Sequence, residues 1–181
     1  MNRPTLFLML GYPGAGKTTV SHFIHDLTGA KHIWADHERH ALYPQPTYTK
    51  AESDTMYEIL NQRTEALLEA GKSVIFDTSF NHYKDRQRLR TIAEKAHANV
   101  LLFWLTTPLD IAKSRATDAD QTHARRNHYP TVMTDETFNA IVKHLESPRA
   151  DETHIELDGT DITLSQVKQV LEAHNIQLHI T

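Results

Sequence analysis

The sequence predicts an α/β protein, a three-layer α/β/α sandwich around a five-stranded parallel sheet. Short runs that are apolar throughout, such as Thr5-Leu-Phe-Leu-Met-Leu10 and Val100-Leu-Leu-Phe-Trp-Leu105, fit strands buried on both faces, as in parallel sheets. Between the runs lie segments with apolar residues at helical spacing, Val20, Phe23, Ile24 and Leu27 being the first. Gly11-Tyr-Pro-Gly-Ala-Gly-Lys-Thr-Thr19 joins the first run to the first helix and fits G-x-x-x-x-G-K-[ST], a pattern that belongs on a strand, a loop and a helix. The expected architecture is therefore a P-loop NTPase fold with a short lid.

In chain order, residues 31–34 read as a second strand. Residues 55–70 read as a helix with Met56, Ile59, Leu60, Leu67 and Leu68 inward, ended by Gly71. Residues 73–76 form a third strand, 83–97 an arginine-rich helix and 100–105 a fourth strand. Residues 108–115 look like a short helix entered through Pro108, and residues 116–133, polar and basic without periodicity, are a candidate lid. A helix over 135–145, a fifth strand over 153–157, a turn at Gly159 and a closing helix over 164–173 complete the pattern, with 176–180 as a candidate edge strand. No linker or repeat interrupts the 181 residues, so one domain over 1–181 is expected.

Nineteen basic and twenty-three acidic residues give a net charge of -4, which does not favour a nucleic-acid partner held by a general basic field. Cysteine is absent, which excludes disulfide frameworks and thiol chemistry. The apolar stretch at 5–10 is too short for a membrane span or a signal sequence. These features lead to the expectation of a cytoplasmic protein without a membrane partner, a monomer or small homo-oligomer.

The loop carries the chemistry. Gly11, Gly14 and Gly16 allow positive φ and close backbone approach to an anion, with Tyr12, Pro13 and Ala15 between them. Lys17 supplies an ammonium for the β and γ phosphates, Thr18 a hydroxyl for Mg²⁺, and Thr19 a packing or phosphate contact. ATP and Mg²⁺ are the expected ligands. Asp77 ends the third apolar run and would project from the sheet's carboxyl edge as a carboxylate for the Mg²⁺ shell, or else cap the next turn. Asp36 would close the second strand in the same manner, with Arg39 three residues on, where a helical turn puts both side chains on one side, Asp36 as base toward an acceptor hydroxyl and Arg39 on the acceptor's anionic part. The alternative for that pair is a surface cap with a solvated arginine. Arg115, Arg125 and Arg126 are candidate lid arginines for transition-state charge, against a merely solvated loop. Arg86, Arg88 and Arg90 with Lys84 read as spread over a helix surface. Thirteen histidines include His22/His25 and His37/His40 at helical spacing, but no H-E-x-x-H pattern joins them, so they read as surface or substrate-site residues.

The phosphate loop, Trp34-Ala-Asp-His-Glu-Arg39 and Val74-Ile-Phe-Asp-Thr-Ser-Phe80 together resemble the P-loop kinases grouped with polynucleotide 5'-hydroxyl kinases and zeta-toxin-like phosphotransferases, many of them described as AAA-type ATP-binding proteins. The resemblance extends to Leu102-Phe-Trp-Leu-Thr-Thr-Pro108 and Glu146-Ser-Pro-Arg-Ala-Asp-Glu152. It implies Asp36 as general base, Arg39 as an acceptor-phosphate contact, Asp77 as the aspartate of a D-x-T-type motif, a lid arginine among Arg115, Arg125 and Arg126, and Arg149 beside the adenine. Ser79-Phe80 stands where polynucleotide kinases favour an asparagine, and Tyr83-Lys-Asp-Arg-Gln-Arg-Leu-Arg90 resembles part of the gluconate-kinase pattern. The leading expectation is an ATP- and Mg²⁺-dependent phosphotransferase acting on a hydroxyl of a small metabolite or a nucleic-acid 5' end. The alternative is a nucleotide-hydrolysing switch without an acceptor. A motor ATPase would need a longer chain with an added helical domain, and no N-K-x-D motif supports GTP.

Overall fold

The computed structural model describes residues 3–78, 82–117 and 133–179. Five strands, β1 (Thr5–Leu10), β2 (Lys31–Trp34), β3 (Val74–Asp77), β4 (Asn99–Leu105) and β5 (Ile155–Leu157), alternate with helices α1 (Lys17–Thr28), α2 (Ala35–Leu42), α3 (Lys50–Glu69), α4 (Tyr83–Lys95), α5 (Leu109–Thr117), α6 (Asp135–His144) and α7 (Leu164–Ala173). The sheet is parallel throughout, in the order β2-β3-β1-β4-β5. The chain moves from β1 to one side of it and later to the other. The crevice outside the carboxyl end of β1 is therefore the topological switch point, where ligands bind in open α/β sheets.

The apolar run of β1 is buried on both faces because helices cover both. Leu6, Leu8 and Leu10 pack with Ile33, Met56, Leu60, Phe76 and Leu89 under α3 and α4, whereas Phe7 and Met9 pack with Val20, Ile24, Ile75, Phe103 and Leu171 under α1 and α7. A smaller cluster of Ala112, Ala116 and Phe138 joins α5 to α6, and Tyr12 of the loop packs against both this cluster and the α1/α7 side.

Several expectations need correction. Helix α2 carries no apolar periodicity, since the residues it buries are Ala35 and Arg39, and Asp36 lies in its first turn rather than at the end of a strand. Helix α3 begins at Lys50, five residues before the expected start at residue 55. Its first turn is polar, capped by the Thr49 hydroxyl, which accepts from the amide of Glu52. Ile59 on that helix is 39% exposed, not inward. Residues 176–179 add no strand: His179 donates its amide to Leu27 at 2.7 Å, and its ring fills the space where Gly29 lacks a Cβ. Residues 116 and 117 belong to α5, and 118–132 of the expected lid lie outside the described residues.

The largest departure is Arg86, which is 0% exposed. It donates to both oxygens of Glu152 at 2.8 and 2.6 Å and to the carbonyls of Glu146 and Ser147, while Glu152 also accepts the amide of Arg149 at 3.1 Å. The bidentate pair ties the start of α4 to the segment leading into β5, with the buried charges matched and hydrogen-bonded. Replacing Arg86 by methionine strands the Glu152 carboxylate in the core and is expected to cost about 3–5 kcal/mol in urea unfolding. The double variant Arg86→Met/Glu152→Gln should lose less than Arg86→Met alone, and equal losses would mean that the pair is not energetically coupled.

Candidate active site

Gly11, Gly14 and Gly16 have φ of 152, 78 and 97°, a run of backbone conformations that L side chains rarely adopt. Two of the three are also closed to a side chain by packing, since a Cβ at Gly14 would run into the carbonyl of Ala112, and one at Gly11 would approach the carbonyl of Leu105 to 3.0 Å. Pro13 and Ala15 are buried beneath the loop, and the amide of Ala15 closes a turn on the carbonyl of Tyr12 at 3.0 Å. The loop ends at Gly16, the N-cap of α1. That helix has neither a side-chain cap nor an acidic residue in its first turn, so its positive end faces the loop uncompensated by side chains. Lys17 reaches back across the loop and donates to the carbonyls of Gly11 and Tyr12, both at 2.9 Å. Thr18 and Thr19 are half-buried in the first turn of α1.

Two neighbouring loops hold this cradle. Thr107, after β4, donates its hydroxyl to the carbonyl of Ala15 at 2.8 Å, and Gly159, after β5, lies so close that a Cβ there would collide with the same carbonyl. Arg115 of α5 donates to the carbonyls of Gly159, at 2.9 Å, and Thr160. Gly16, Thr19, Arg115 and residues 159–163 line a cleft of about 330 Å³ beside the helix start.

On the other side of the loop, Asp77 is the last residue of β3 and 3% exposed. Its register partner is Trp34, and His32 donates from Nε2 to its carboxylate at 3.1 Å. The rings of His32 and Trp34 lie 6.2 Å apart and near-parallel at 9°, Trp34 and His37 lie 6.1 Å apart at 20°, and His22 of α1 meets His32 edge-on. Burial, then the neighbouring His32, pushes His22 below its ordinary value. Among the described residues, no group of three or more His, Asp or Glu side chains is placed to hold a metal ion, and no helix is long and apolar enough to cross a membrane.

Asp36 is exposed at the start of α2. Arg39, one turn on, is 6% exposed. It pairs with Glu52, donates to the Ser53 hydroxyl at 3.2 Å and lies 4.9 Å from the ring centroid of Tyr48. Glu52 also accepts the amide and the hydroxyl of Thr47, each at 2.7 Å. Its burial alone would raise its pKa, yet the hydrogen bonds from Thr47 and Arg39 outweigh that and bring it from 4.5 to about 2. The Arg149 guanidinium lies 3.9 Å over the Tyr83 ring and bonds Glu146 at 3.0 Å. Arg125 and Arg126 lie outside the described residues.

The AAA-domain profile AAA_33 matches residues 6–148. The chain belongs to this AAA domain family. An uncharacterized protein of Mycobacterium tuberculosis is 26% identical to this AAA-domain chain over 122 residues, covering 61% of the chain and 24% of the relative. The chain thus spans about a quarter of the length of the curated relatives it matches. A sugar kinase of Janibacter sp. is 22% identical with a TM-score of 0.67, covering 97% of this chain and 96% of that one. The APS kinase CysC of Mycobacterium tuberculosis, in complex with AMPPNP and APS, is 18% identical with a TM-score of 0.67, covering 95% and 98%. A gluconokinase of Sinorhizobium meliloti is 18% identical with a TM-score of 0.64, covering 96% and 97%. At these identities the likeness is one of fold, and the fold is that of P-loop kinases.

Sequence reasoning singled out the loop, Asp36 and Asp77 but missed Thr107, His32, Glu52 and Tyr48. The pattern Thr49-x-x-Glu52 is a recognisable helix-start signal and would have drawn attention to Glu52. Because the folded state depresses the pKa of Glu52, its charged form stabilises the protein above about pH 4.5, and that contribution fades as the pH falls toward 2. Acid unfolding followed by circular dichroism should accordingly be steeper between pH 4.5 and 2 in the parent than in Glu52→Gln, and parallel curves would refute the role.

Proposed function

We propose that this chain is an ATP- and Mg²⁺-dependent phosphotransferase that moves the γ-phosphoryl group to a hydroxyl acceptor. The observation that carries the reading is the cradle itself: three glycines at positive φ, an uncapped helix start and the Lys17 ammonium across the loop, all at the switch point of a parallel sheet. In this reading the backbone amides of Gly14, Gly16, Lys17, Thr18 and Thr19 take the triphosphate. The base and ribose lie toward the cleft between Arg115 and residues 159–163. The Thr18 hydroxyl and the Asp77 carboxylate are hard oxygen donors of the kind Mg²⁺ accepts, and when bound the ion would neutralise phosphate charge.

Asp36 stands on the acceptor side. Its carboxylate takes the proton of the acceptor hydroxyl as that oxygen bonds to the γ-phosphorus, and the bond from that phosphorus to the bridging oxygen breaks with its electron pair leaving on ADP. Lys17 and the loop amides hold the transferring group in line, so catalysis is chiefly positioning and charge stabilisation. Within the P-loop kinases, residues 34–39 and 74–80 support placement with the polynucleotide 5'-hydroxyl kinase and zeta-toxin-like group. The reading is of a cytoplasmic enzyme working as a monomer or small homo-oligomer.

Asp36→Asn is expected to keep ATP affinity in calorimetry while turnover falls by about 10²- to 10⁴-fold, and full activity would reject the base role. Lys17→Ala should lose most turnover and most phosphate-dependent affinity, since it withdraws the ammonium of the loop. Transfer of labelled phosphate to nucleosides, 5'-hydroxyl oligonucleotides, sugars and small alcohols tests the reaction class. ADP release that is independent of any acceptor would identify a hydrolase instead.

A further inference from the structure

Asp77 is held by a neighbour to which the phosphoryl-transfer reading gives no role. The alternation of β3 sends Phe76 under α3 and α4, whereas Ile75 packs with Val20 and Ile24 of α1. Asp77, two residues after Ile75 at the carboxyl end of the strand, therefore stands on the face covered by α1, whose first turn carries Thr18. The parallel pairing of β2 with β3 sets His32 against Ile75 and Trp34 against Asp77, which puts both rings on that face too.

From there His32 reaches Asp77. Its Nε2 lies 3.1 Å from Oδ2, with the two side chains 14% and 3% exposed. A carboxylate only accepts, so the ring carries a proton on Nε2. The ring itself is clamped: Trp34 lies near-parallel to it at 6.2 Å, and Trp34 in turn stacks with His37 of α2. His22, one turn after Thr18 on α1, meets the His32 ring edge-on at 5.4 Å. His32 thus connects α1, one turn behind Thr18, to the buried carboxylate. A carboxylate serves a hard cation best when its rotamer is fixed beforehand, and a hydrogen bond from behind the ligand shell is what fixes it.

We propose, resting on the kinase reading above, that His32 is a positioning residue whose Nε2–H holds the Asp77 carboxylate in the orientation that serves the Mg²⁺ accompanying ATP. The donor N–H, rather than the bulk of the ring, carries the role. The stack with Trp34 keeps the donor in place, and its proton stays on the ring throughout transfer.

Calorimetry on the whole chain measures ATP affinity with Mg²⁺ and with EDTA, and the ratio of the two is the benefit of the metal. His32→Phe keeps a ring against Trp34 and removes the donor. It is expected to lower that benefit about tenfold, the lower end of what loss of such a partner costs, and to leave ATP affinity in EDTA within about twofold of the parent. His32→Gln puts an amide N–H near the place of Nε2 and should restore most of the benefit. A parent that gains nothing from Mg²⁺, a benefit unmoved in His32→Phe, or His32→Gln no better than His32→Phe overturns the proposal and leaves the loop standing as a nucleotide site. If the parent binds no ATP at all, the kinase reading falls and this inference falls with it. A second readout needs neither nucleotide nor metal. In ring-nitrogen NMR spectra the His32 signal, assigned by its loss in His32→Gln, should show a protonated Nε2 that shifts in Asp77→Ala. An unprotonated Nε2, or one indifferent to Asp77→Ala, would overturn the proposal whatever the stability of the Phe variant.

Discussion

The carbonyl of Ala15 is the point on which the site turns. Thr107 hydrogen-bonds it from the loop after β4, Gly159 presses on it from the loop after β5, and the next residue, Gly16, is the N-cap of α1. Three strand ends therefore meet almost backbone to backbone, and the space that side chains would occupy is given to the curl of the phosphate loop. The apolar strands fix the positions of those ends. β1 pairs with β4 along its whole length and with β3 over Leu6–Leu8, so strands on both sides hold the end from which the loop leaves. A cradle of amides can select an anion only if it does not rearrange on contact, and this framework supplies that stiffness.

Charge is organised in a comparable way, by pairing arginines with carboxylates away from water. Arg86 with Glu152 fastens α4 to the approach of β5, and Arg39 with Glu52 fastens α2 to the start of α3. Arg86 and Glu152 are 66 residues apart in sequence, Arg39 and Glu52 only 13. Such pairs add little net stability over apolar packing, but each strongly disfavours arrangements in which one partner is left alone.

The strands and most helices were legible in the sequence because burial on two faces leaves an unbroken apolar run and burial on one leaves a 3.6-residue period. Helix α2 escaped because its inward face is filled by an arginine, and Arg86 was misread because its partner, Glu152, lies 66 residues along the chain. The phosphate loop was legible because its glycine and lysine spacing is a local requirement. His32 beside Asp77 and Tyr48 beside Arg39 were not, since each depends on register or loop path that no short pattern records. Asp36 sat in the anticipated neighbourhood but on a helix start, two residues past the end of the second strand.

The ring of Tyr12 belongs at once to the packing under α1 and α7 and to the small cluster between α5 and α6. It acts as a shared footing: the two peripheral helices stand on the same residue that shapes the anion cradle. That helix pair meets the phosphate loop directly, through Tyr12 and through the Ala112 carbonyl against Gly14. The periphery of the molecule and its most rigid turn are in this way mechanically in series.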